Sequence, residues 1–179
     1  MKIAVITGSP RRHGNSFAMT QAFIEEAERC GHTVTRFDAA MMRIGGCHAC
    51  ETCYKTGKAC SFDDDFNIIA PAVLEADAVV FTMPTYWYSI PAQIKGVIDR
   101  LYSLVVGGKD YAGKKCGLIA CCEENDVTVM DGIRMPIERS AALLKWDLVG
   151  EVLIPGVLNE GDIDKTDGCQ QAAALAHKF

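Results

Sequence analysis

Three stretches of this chain carry residue types that suit binding or redox chemistry. A polar loop with two arginines, Gly8 to Ser16, lies between an apolar run and an amphipathic run. A second stretch holds four cysteines within a short distance, at Cys47, Cys50, Cys53 and Cys60. An aromatic stretch, Pro84 to Ile90, follows another apolar run. Anion binding, metal ligation and stacking on a planar ring are the chemistries that these residue types favour.

The first loop has the features of an anion site. A loop that leads from a buried parallel strand into a helix presents backbone N–H groups and the positive end of the helix dipole. Arg11 and Arg12 add positive charge, and Ser9, Asn15 and Ser16 add hydrogen-bond donors. Helix capping by Asn15 or Ser16 is the structural alternative, but capping requires neither arginine.

Two familiar phosphate-binding loops are excluded by their spacing. The dinucleotide fingerprint has glycines at its first, third and sixth positions, and here Pro10 and His13 occupy the last two. The triphosphate loop has four residues between its glycines and then lysine. Here five residues separate Gly8 from Gly14, and Asn15 follows. The loop therefore suits a terminal phosphate.

The cysteine stretch suits a metal centre. Nine cysteines in a chain expected to be cytosolic point to free thiols, metal or redox chemistry before structural disulfides. Four soft thiolates at this spacing suit an iron-sulfur cluster, although the last interval is longer than in the ferredoxin run. Zinc fits less well, because zinc knuckles usually come as two separate pairs. Thiols with no cluster remain the alternative.

Composition and charge restrict the class of protein. The 179 residues, 49% of them hydrophobic, predict one domain over residues 1–179 with a substantial core. The net charge of -5 argues against a nucleic-acid partner. No apolar run reaches membrane-spanning length, and the first residues resemble a strand more than a signal peptide. We expect a cytoplasmic protein without a membrane partner.

Hydrophobic periodicity predicts five strand-helix units. The expected strands are Lys2–Thr7, Thr33–Asp38, Ala78–Met83, Lys114–Cys122 and Leu148–Ile154. The expected helices are Ser16–Cys30, Phe66–Ala76, a helix opened by Pro91, a helix over about Ile133–Trp146 whose regular part starts at Pro136, and a terminal helix from Asp167 or Gly168. Residues 39–61 lack periodicity and form a Cys-rich insertion loop, too long for an ordinary connection.

The alternation of strands and helices predicts an α/β fold. Five such units form a doubly wound, five-stranded parallel sheet of order 2-1-3-4-5, with helices on both faces. Ligands bind such sheets in the crevice between strands one and three, at their carboxyl ends. The phosphate loop and the aromatic loop should therefore face each other.

These motifs resemble a known family. Gly8-Ser9-Pro10-Arg11-x-x-Gly14-Asn15-Ser16, Pro84-Thr85-Tyr86-Trp87-Tyr88-Ser89-Ile90-Pro91 and Lys95-x-x-x-Asp99-Arg100 together are similar to the NAD(P)H-dependent FMN reductases of flavodoxin-like fold. With Cys47-x-x-Cys50-x-x-Cys53 and Cys60 added, the chain resembles most the iron-sulfur flavoprotein branch. The likeness is strong from Met1 to about Arg100, and beyond Arg100 it is limited to the architecture of the fold.

The resemblance implies a bound FMN. Its phosphate would be contacted by Ser9, Arg11, Asn15 and Ser16, with the Phe17 amide at the helix start. Its isoalloxazine ring would be lined by Pro84, Thr85, Tyr86, Trp87 and Tyr88. The loop after the fourth strand, with Cys121 and Cys122, would form a third wall. Alternatively the aromatic residues are core or interface residues, the vicinal cysteines are buried free thiols, and Lys95, Asp99 and Arg100 lie on a solvated helix face.

The resemblance also implies an activity. Family members transfer hydride from NAD(P)H to flavin and pass electrons to free flavin, a quinone, an iron complex or another protein. The flavin carries this chemistry, so no catalytic side chain is expected. An iron-sulfur cluster and a homodimer or larger homo-oligomer are further expectations. The alternatives are a redox sensor or electron carrier without NAD(P)H turnover, and a structural zinc-thiolate protein with an empty crevice.

Overall fold

A computed structural model describes all residues from 1 to 179, and a five-stranded parallel sheet forms its centre. The strands are β1 (Lys2–Thr7), β2 (Thr33–Asp38), β3 (Ala78–Pro84), β4 (Lys115–Cys121) and β5 (Asp147–Ile154). They are ordered β2-β1-β3-β4-β5, and every neighbouring pair is parallel. The predicted flavodoxin-like fold is thereby confirmed.

Six helices connect or follow the strands. They are α1 (Asn15–Arg29), α2 (Phe66–Glu75), α3 (Ala92–Arg100), α4 (Tyr102–Val106), α5 (Asp131–Leu143) and α6 (Gly168–Ala176). The helix predicted to follow Pro91 is thus divided into α3 and α4. None of the helices has both the length and the apolar composition that crossing a bilayer would require.

The helices cover the sheet on both faces. On one face, α1 and α6 pack over Ile3 and Val5 of β1, and on the other, α2, α3 and α5 pack over Ala4 and Ile6. Alternate residues of a strand point to opposite faces, so a strand covered on both sides must be apolar throughout. The central strands are therefore continuous apolar runs in the sequence. The edge strand β2 is only partly buried.

The start predicted for the helix at Pro136 is wrong. Helix α5 begins at Asp131 and contains Pro136. Proline has no N–H, so the carbonyl of Gly132, four residues earlier, lacks its helical donor. The Ser89 hydroxyl donates to that carbonyl at 3.4 Å and replaces the missing donor.

A buried ion pair fastens the Cys-rich insertion to α3. The Arg100 side chain is 2% exposed and donates to the two Asp64 carboxylate oxygens at 2.5 and 2.8 Å. It also donates to the Gly45 carbonyl at 3.2 Å and lies 4.4 Å from the centre of the Phe66 ring. The expectation that Arg100 lies on a solvated face is therefore wrong, because Asp64 supplies a buried partner.

Asp64 is held in its charged form. Burial acts to raise the pKa of its carboxyl, but hydrogen bonds from Arg100 and the Gly45 N–H outweigh burial and place the pKa below the usual 3.8. A carboxyl with a depressed native pKa contributes stability that is complete above its unfolded-state pKa. This contribution is lost as the pH falls through the native pKa.

We predict that Asp64→Ala lowers the free energy of unfolding by about 3–5 kcal/mol, because it leaves the Arg100 charge buried without its partner. Asp63→Ala is the matched control, since Asp63 is 87% exposed and pairs only with Lys58. Urea unfolding at pH 7 measures both variants. The difference in the free energy of unfolding between Asp64→Ala and wild type should become smaller below pH 4. Equal urea midpoints for Asp63→Ala and Asp64→Ala at pH 7 would contradict the assignment.

Candidate functional site

A cleft opens at the carboxyl ends of β1, β3 and β4. Its volume is about 380 Å³, within the range of ligand pockets in general. It is lined by Ser9, Arg11, Gly14, Asn15, Ser16, Pro84, Thr85, Tyr86, Cys121, Cys122, Glu123, Val157, Leu158 and Glu160. Three segments supply part of this lining: the first loop, the first part of the aromatic loop and the vicinal cysteines. The three segments therefore meet at one place, as the strand order requires.

The start of α1 offers unpaired donors to this cleft. Gly14 is the N-cap residue, and no side chain caps the helix, so the alternative of capping by Asn15 or Ser16 is wrong. The first helical hydrogen bond runs from the Ala18 N–H to the Gly14 carbonyl at 3.1 Å. The N–H groups of residues 15–17 thus have no acceptor within the helix. Arg11 lines the same cleft, which makes this end strongly attractive to an anion.

The side chain of Asn15 holds a different wall of the cleft. It is 8% exposed, its Nδ2 donates to the Asn159 carbonyl at 2.9 Å, and its Oδ1 accepts from the Ile163 N–H at 3.2 Å. Both ends of the amide are therefore used within the chain, and the free donor of Asn15 is its backbone N–H. These bonds bring Leu158 and Glu160 to the cleft.

Sequence reasoning missed this wall, formed by Val157, Leu158 and Glu160. The segment follows β5, whose carboxyl end lies at the same edge of the sheet as the other loops. Loops that follow parallel strands lie at one edge of the sheet, so the place of this segment after β5 could have predicted that it borders the cleft. No motif in residues 157–160 points to a ligand.

The aromatic loop turns sharply outward after Tyr86. Tyr86 and Ser89 exchange two backbone hydrogen bonds, at 3.1 and 3.0 Å, around the two central residues. Trp87 and Tyr88 both have positive φ, 48° and 61°, in a type of turn that normally uses Asn and Gly. Trp87 is 94% exposed and Tyr88 57%. The structure brings Pro84, Thr85 and Tyr86 into the cleft but leaves these two side chains outside its lining.

Helix α5 supports this strained turn. A Cβ atom on Gly132 would collide with the Tyr88 carbonyl oxygen, so glycine is required for the close approach. The Ser89 hydroxyl bonds to the Gly132 carbonyl from the same side. Positive φ at two large residues costs about 1–3 kcal/mol each and persists only where surrounding contacts impose it.

Phe17 lies away from the cleft. Its ring packs beneath the Arg36 guanidinium, whose carbon is 4.2 Å from the ring centre, and it lines a separate cavity with Arg36 and Arg12. Only its backbone N–H, at the start of α1, belongs to the anion-binding end. Arg11 and Arg12 thus point into different cavities.

The vicinal cysteines form the third wall, as protonated thiols. Burial raises the pKa of Cys121 to about 12, and the neighbouring Cys122 adds to this effect. Burial also raises the pKa of Cys122. Thr85 donates twice to the Cys121 carbonyl, from its N–H at 2.8 Å and its Oγ1 at 3.0 Å. These thiols are neutral at pH 7, which favours packing over thiolate chemistry.

The four cysteines of the insertion lie outside the cleft. Cys47 and Cys50 are exposed, Cys53 is half-buried and Cys60 is buried. No three of their sulfur atoms lie within 4.8 Å of one another, whereas ligands at about 2.3 Å from one zinc ion would be closer together. The sulfurs are therefore not gathered as a tetrahedral zinc site.

The backbone of this segment is nevertheless unusual. Ala49, Glu51 and Tyr54 have positive φ between the cysteines, at 52°, 53° and 58°. The Cys60 N–H is fixed by Asn67 Oδ1 at 2.8 Å. Burial raises the pKa of Cys53, and the charges of Cys60, Cys50 and Cys47 raise it further. The four thiols therefore interact electrostatically. Non-glycine residues with positive φ cluster at functional sites.

Comparison with known proteins gives concordant results. Residues 1–128 match the family model described as NADPH-dependent FMN reductase. An iron-sulfur flavoprotein of Archaeoglobus fulgidus is 30% identical, over 100% of this chain and 82% of that protein. A second one from the same organism is 32% identical over 65% of this chain, and the match spans only 58% of its length. The solved NAD(P)H:quinone oxidoreductase from Methanothermobacter marburgensis superimposes with a TM-score of 0.73 at 18% identity, covering 98% of this chain and 94% of that chain.

We predict sharply different reactivity for Cys50 and Cys121 in reduced, metal-free protein. Hydrogen bonds from Thr52 and then Ser61 lower the pKa of Cys50 to about 7, and its thiol is exposed. Iodoacetamide at pH 7 should alkylate Cys50 rapidly and Cys121 only after unfolding, as read by mass spectrometry of peptides. The Cys50 rate should fall as the pH drops below 7, because the thiolate is the nucleophile. Equal labelling of both residues in the native protein would overturn this prediction.

Proposed function

The chain belongs to the NADPH-dependent FMN reductase family, and from that premise we propose that it passes electrons from NAD(P)H through FMN to a quinone-class acceptor. That it is an FMN oxidoreductase follows from the family. The acceptor, the residues that hold FMN and an associated iron-sulfur cluster are the proposed parts.

One observation carries the assignment of the FMN site. The uncapped start of α1 and the Arg11 side chain lie at one end of a cleft whose other walls include Pro84, Thr85 and Tyr86. An anion-binding end beside an apolar and aromatic wall fits a phosphate joined to a planar ring. The cleft's own residues therefore fit FMN.

Each proposed residue has a defined task. Arg11 pairs with the phosphate, Ser9 and Ser16 donate hydroxyl hydrogen bonds, and the N–H groups of residues 15–17 complete the cradle. Pro84, Thr85 and Tyr86 cover the ring, and Cys121 and Cys122 close the opposite side as neutral thiols. Bound FMN supplies hydride acceptance from the nicotinamide and electron delivery to the acceptor. The chain itself binds and orients the FMN and supplies the charges around it.

Trp87 and Tyr88 contribute through their backbones in this proposal. Their N–H groups take part in no backbone hydrogen bond, whereas those of Thr85 and Tyr86 are already used. The strained turn thus keeps two free donors at the rim of the cleft. Such donors suit the polar edge of a flavin ring, which gains negative charge on reduction.

A quinone is the proposed acceptor class because the cleft is open on its outer side and has an apolar wall. The solved NAD(P)H:quinone oxidoreductase of similar fold supports a quinone as the acceptor. The carboxylates of Glu123 and Glu160 at the rim disfavour anionic acceptors.

The cysteine segment fits an iron-sulfur cluster better than a zinc ion. Its four thiols interact electrostatically, no three of their sulfurs lie within 4.8 Å of one another, and its backbone carries three non-glycine residues with positive φ. Backbone N–H groups in such conformations make anion-binding concavities that are common around iron-sulfur centres. Two relatives named iron-sulfur flavoprotein support the same choice.

We also propose a homo-oligomer. None of the four cysteines lines the cleft, and the Trp87-Tyr88 turn exposes two large aromatic side chains. A second copy that covers this turn would bury them and extend the cleft wall.

The deciding experiment is anaerobic. Purified protein is analysed for acid-released flavin and iron, and NADH or NADPH is then added with and without a water-soluble benzoquinone. Flavin bleaching by a nicotinamide and its reoxidation by the quinone are expected. Bound flavin that neither nicotinamide reduces would favour a redox sensor instead, and a chain without flavin would refute the cleft assignment.

We predict that Arg11→Ala weakens FMN binding roughly 10- to 100-fold, the range for losing a charged hydrogen-bond partner. Arg12→Ala is the matched control, because Arg12 lines another cavity and should leave FMN affinity near that of wild type. Titration of apoprotein with FMN, followed by the quenching of flavin fluorescence, gives both dissociation constants. Equal affinities would refute Arg11 as the phosphate ligand.

We predict that Cys60→Ser abolishes iron retention, because a buried ligand is replaced by a poor one for iron. Cys169→Ser is the control, since Cys169 is half-buried in α6, outside the insertion, and belongs to no group of possible metal ligands. Iron and sulfide content after anaerobic reconstitution, with FMN content as the check on folding, provide the readout. Wild type that takes up zinc but no iron would overturn the cluster assignment.

A further inference from the structure

Three side chains of metal-ligand type meet where α1 and α6 end. Glu26 and Cys30 lie one helical turn apart on α1, so both face the same side, and His177 directly follows the last residue of α6. This is the only place in the chain where three possible ligand atoms of His, Cys, Asp or Glu all lie within 4.8 Å of one another. We call these three residues the α1–α6 cluster.

The spacing of the α1–α6 cluster suits a zinc ion. The His177 Nδ1 is 3.5 Å from the Cys30 sulfur, its Nε2 is 3.2 Å from the Glu26 Oε1, and that oxygen is 4.0 Å from the sulfur. Ligands of a tetrahedral zinc ion, at about 2.3 Å for sulfur and about 2.0–2.2 Å for nitrogen and oxygen, are roughly 3.4–3.6 Å apart. The separations in the cluster bracket these values, so a modest side-chain rotation gathers one imidazole nitrogen, the sulfur and Oε1 around a single ion.

The two helices bring the negative ends of their dipoles to the cluster. Cys30 is the C-cap residue of α1, and His177 is the C-cap residue of α6. The last carbonyl groups of a helix carry partial negative charge, which favours a cation near the final turn. Two helix ends and the Glu26 carboxylate therefore attract a cation to the same place.

The Glu26 carboxylate divides its two oxygens between different partners. Arg29 pairs with Oε2 at 2.9 Å, and the Glu26 side chain is only 16% exposed. Oε1 faces Cys30 and His177 instead. Carboxylates that ligate a metal are themselves hydrogen-bonded to outer partners, and Arg29 occupies the position of such a partner.

The segment that carries His177 is anchored without any metal. Lys115 Nζ donates to the carbonyls of Lys178 and Phe179, at 2.7 and 2.8 Å. The Phe179 ring packs edge-on against Phe23 of α1, with the ring centres 5.6 Å apart. These contacts hold the imidazole beside α1, and such pre-organisation lowers the cost of ordering a ligand set.

We propose that the α1–α6 cluster binds Zn²⁺ through Cys30, His177 and Glu26, with the fourth position open to water. Thiolate, imidazole and carboxylate groups are all zinc ligands, whereas Mg²⁺ and Ca²⁺ take oxygen ligands. Cys30 ligates as the thiolate, and its proton passes to solvent on binding. The ion joins the end of α1 to the end of α6.

This site is separate from the FMN cleft. Helix α1 starts at the carboxyl end of β1 and ends just before β2 begins at Thr33. Its last residues therefore lie at the amino ends of the strands, at the edge of the sheet opposite the cleft. The inference goes beyond the proposed function and does not depend on it.

The first test follows Cys30 itself in reduced protein. The rate of its alkylation by iodoacetamide at pH 7, read by mass spectrometry of the peptide that contains it, is measured with and without Zn²⁺. Saturating Zn²⁺ should slow this alkylation about tenfold or more, because a metal-bound sulfur is less available as a nucleophile. Mg²⁺ should leave the rate unchanged. In His177→Gln, protection should require a Zn²⁺ concentration higher by at least roughly 10- to 100-fold, the cost of losing even an outer partner of a metal site.

The second test measures zinc affinity by competition with a chromophoric chelator. Cys30→Ser, His177→Gln and Glu26→Gln should each bind one zinc equivalent at least roughly 10- to 100-fold more weakly than wild type. Cys169→Ser on α6 and Glu28→Gln on α1 are the matched controls, because both residues lie outside the cluster, and they should bind as wild type does. Every variant keeps the four cysteines of the insertion, so any zinc that they bind cancels in the comparison. Far-UV circular dichroism checks that each variant is folded.

Two results would overturn the inference. Equal zinc affinity in wild type, Cys30→Ser and His177→Gln would leave the cluster as a hydrogen-bonded contact between two helix ends. Undiminished protection of Cys30 by Zn²⁺ in His177→Gln would indicate zinc held by a single thiol. Neither result bears on FMN in the cleft, because flavin content and its reduction by a nicotinamide are measured separately.

Discussion

The parallel pairing of β1 with both β2 and β3 is the constraint on which the site depends. Because β1 lies between them, its own loop and the loops of its two neighbours must emerge at the same edge. The β3 neighbour supplies Pro84, Thr85 and Tyr86 to the cleft, and the β2 neighbour supplies Arg36 and Asp38 to the other cavity. The loop from Ser9 to Gly14 therefore lies between two cavities, a position that the strand order determines.

The start of α1 is attractive to an anion because the chain leaves it uncapped. A side-chain cap would satisfy one of the free N–H groups and would stabilise the helix by about 1 kcal/mol. Asn15 stands next to the N-cap position, yet its amide is used to hold Asn159 and Ile163. The donors stay free because Gly14, the N-cap residue, has no side chain, and the Asn15 amide positions the far wall of the cleft, which follows β5.

The sequence predicted the strands to within a residue or two, because runs buried on both faces are apolar throughout and end at polar loops. It also predicted that the Ser9 and Pro84 loops would meet, since topology alone decides this. Arg100 could not be placed, because its burial depends on Asp64, a partner distant in the chain. The outward turn at Trp87 and Tyr88 was also beyond prediction, since it depends on the missing side chain of Gly132 and on the gap that Pro136 leaves in the hydrogen bonds of α5.

The buried Arg100–Asp64 pair is best explained by where the groups that Arg100 binds lie along the chain. An apolar contact of similar size would often stabilise a fold equally well, so stability alone does not require a buried ion pair. The Arg100 guanidinium bonds to Gly45, just before the first cysteine of the insertion, and to Asp64, just after the last. One side chain therefore holds together both ends of a segment that has no regular structure of its own. Closing the segment in this way limits the volume open to its four thiols, while the residues between the two anchors remain free to adopt the backbone conformations that a cluster requires.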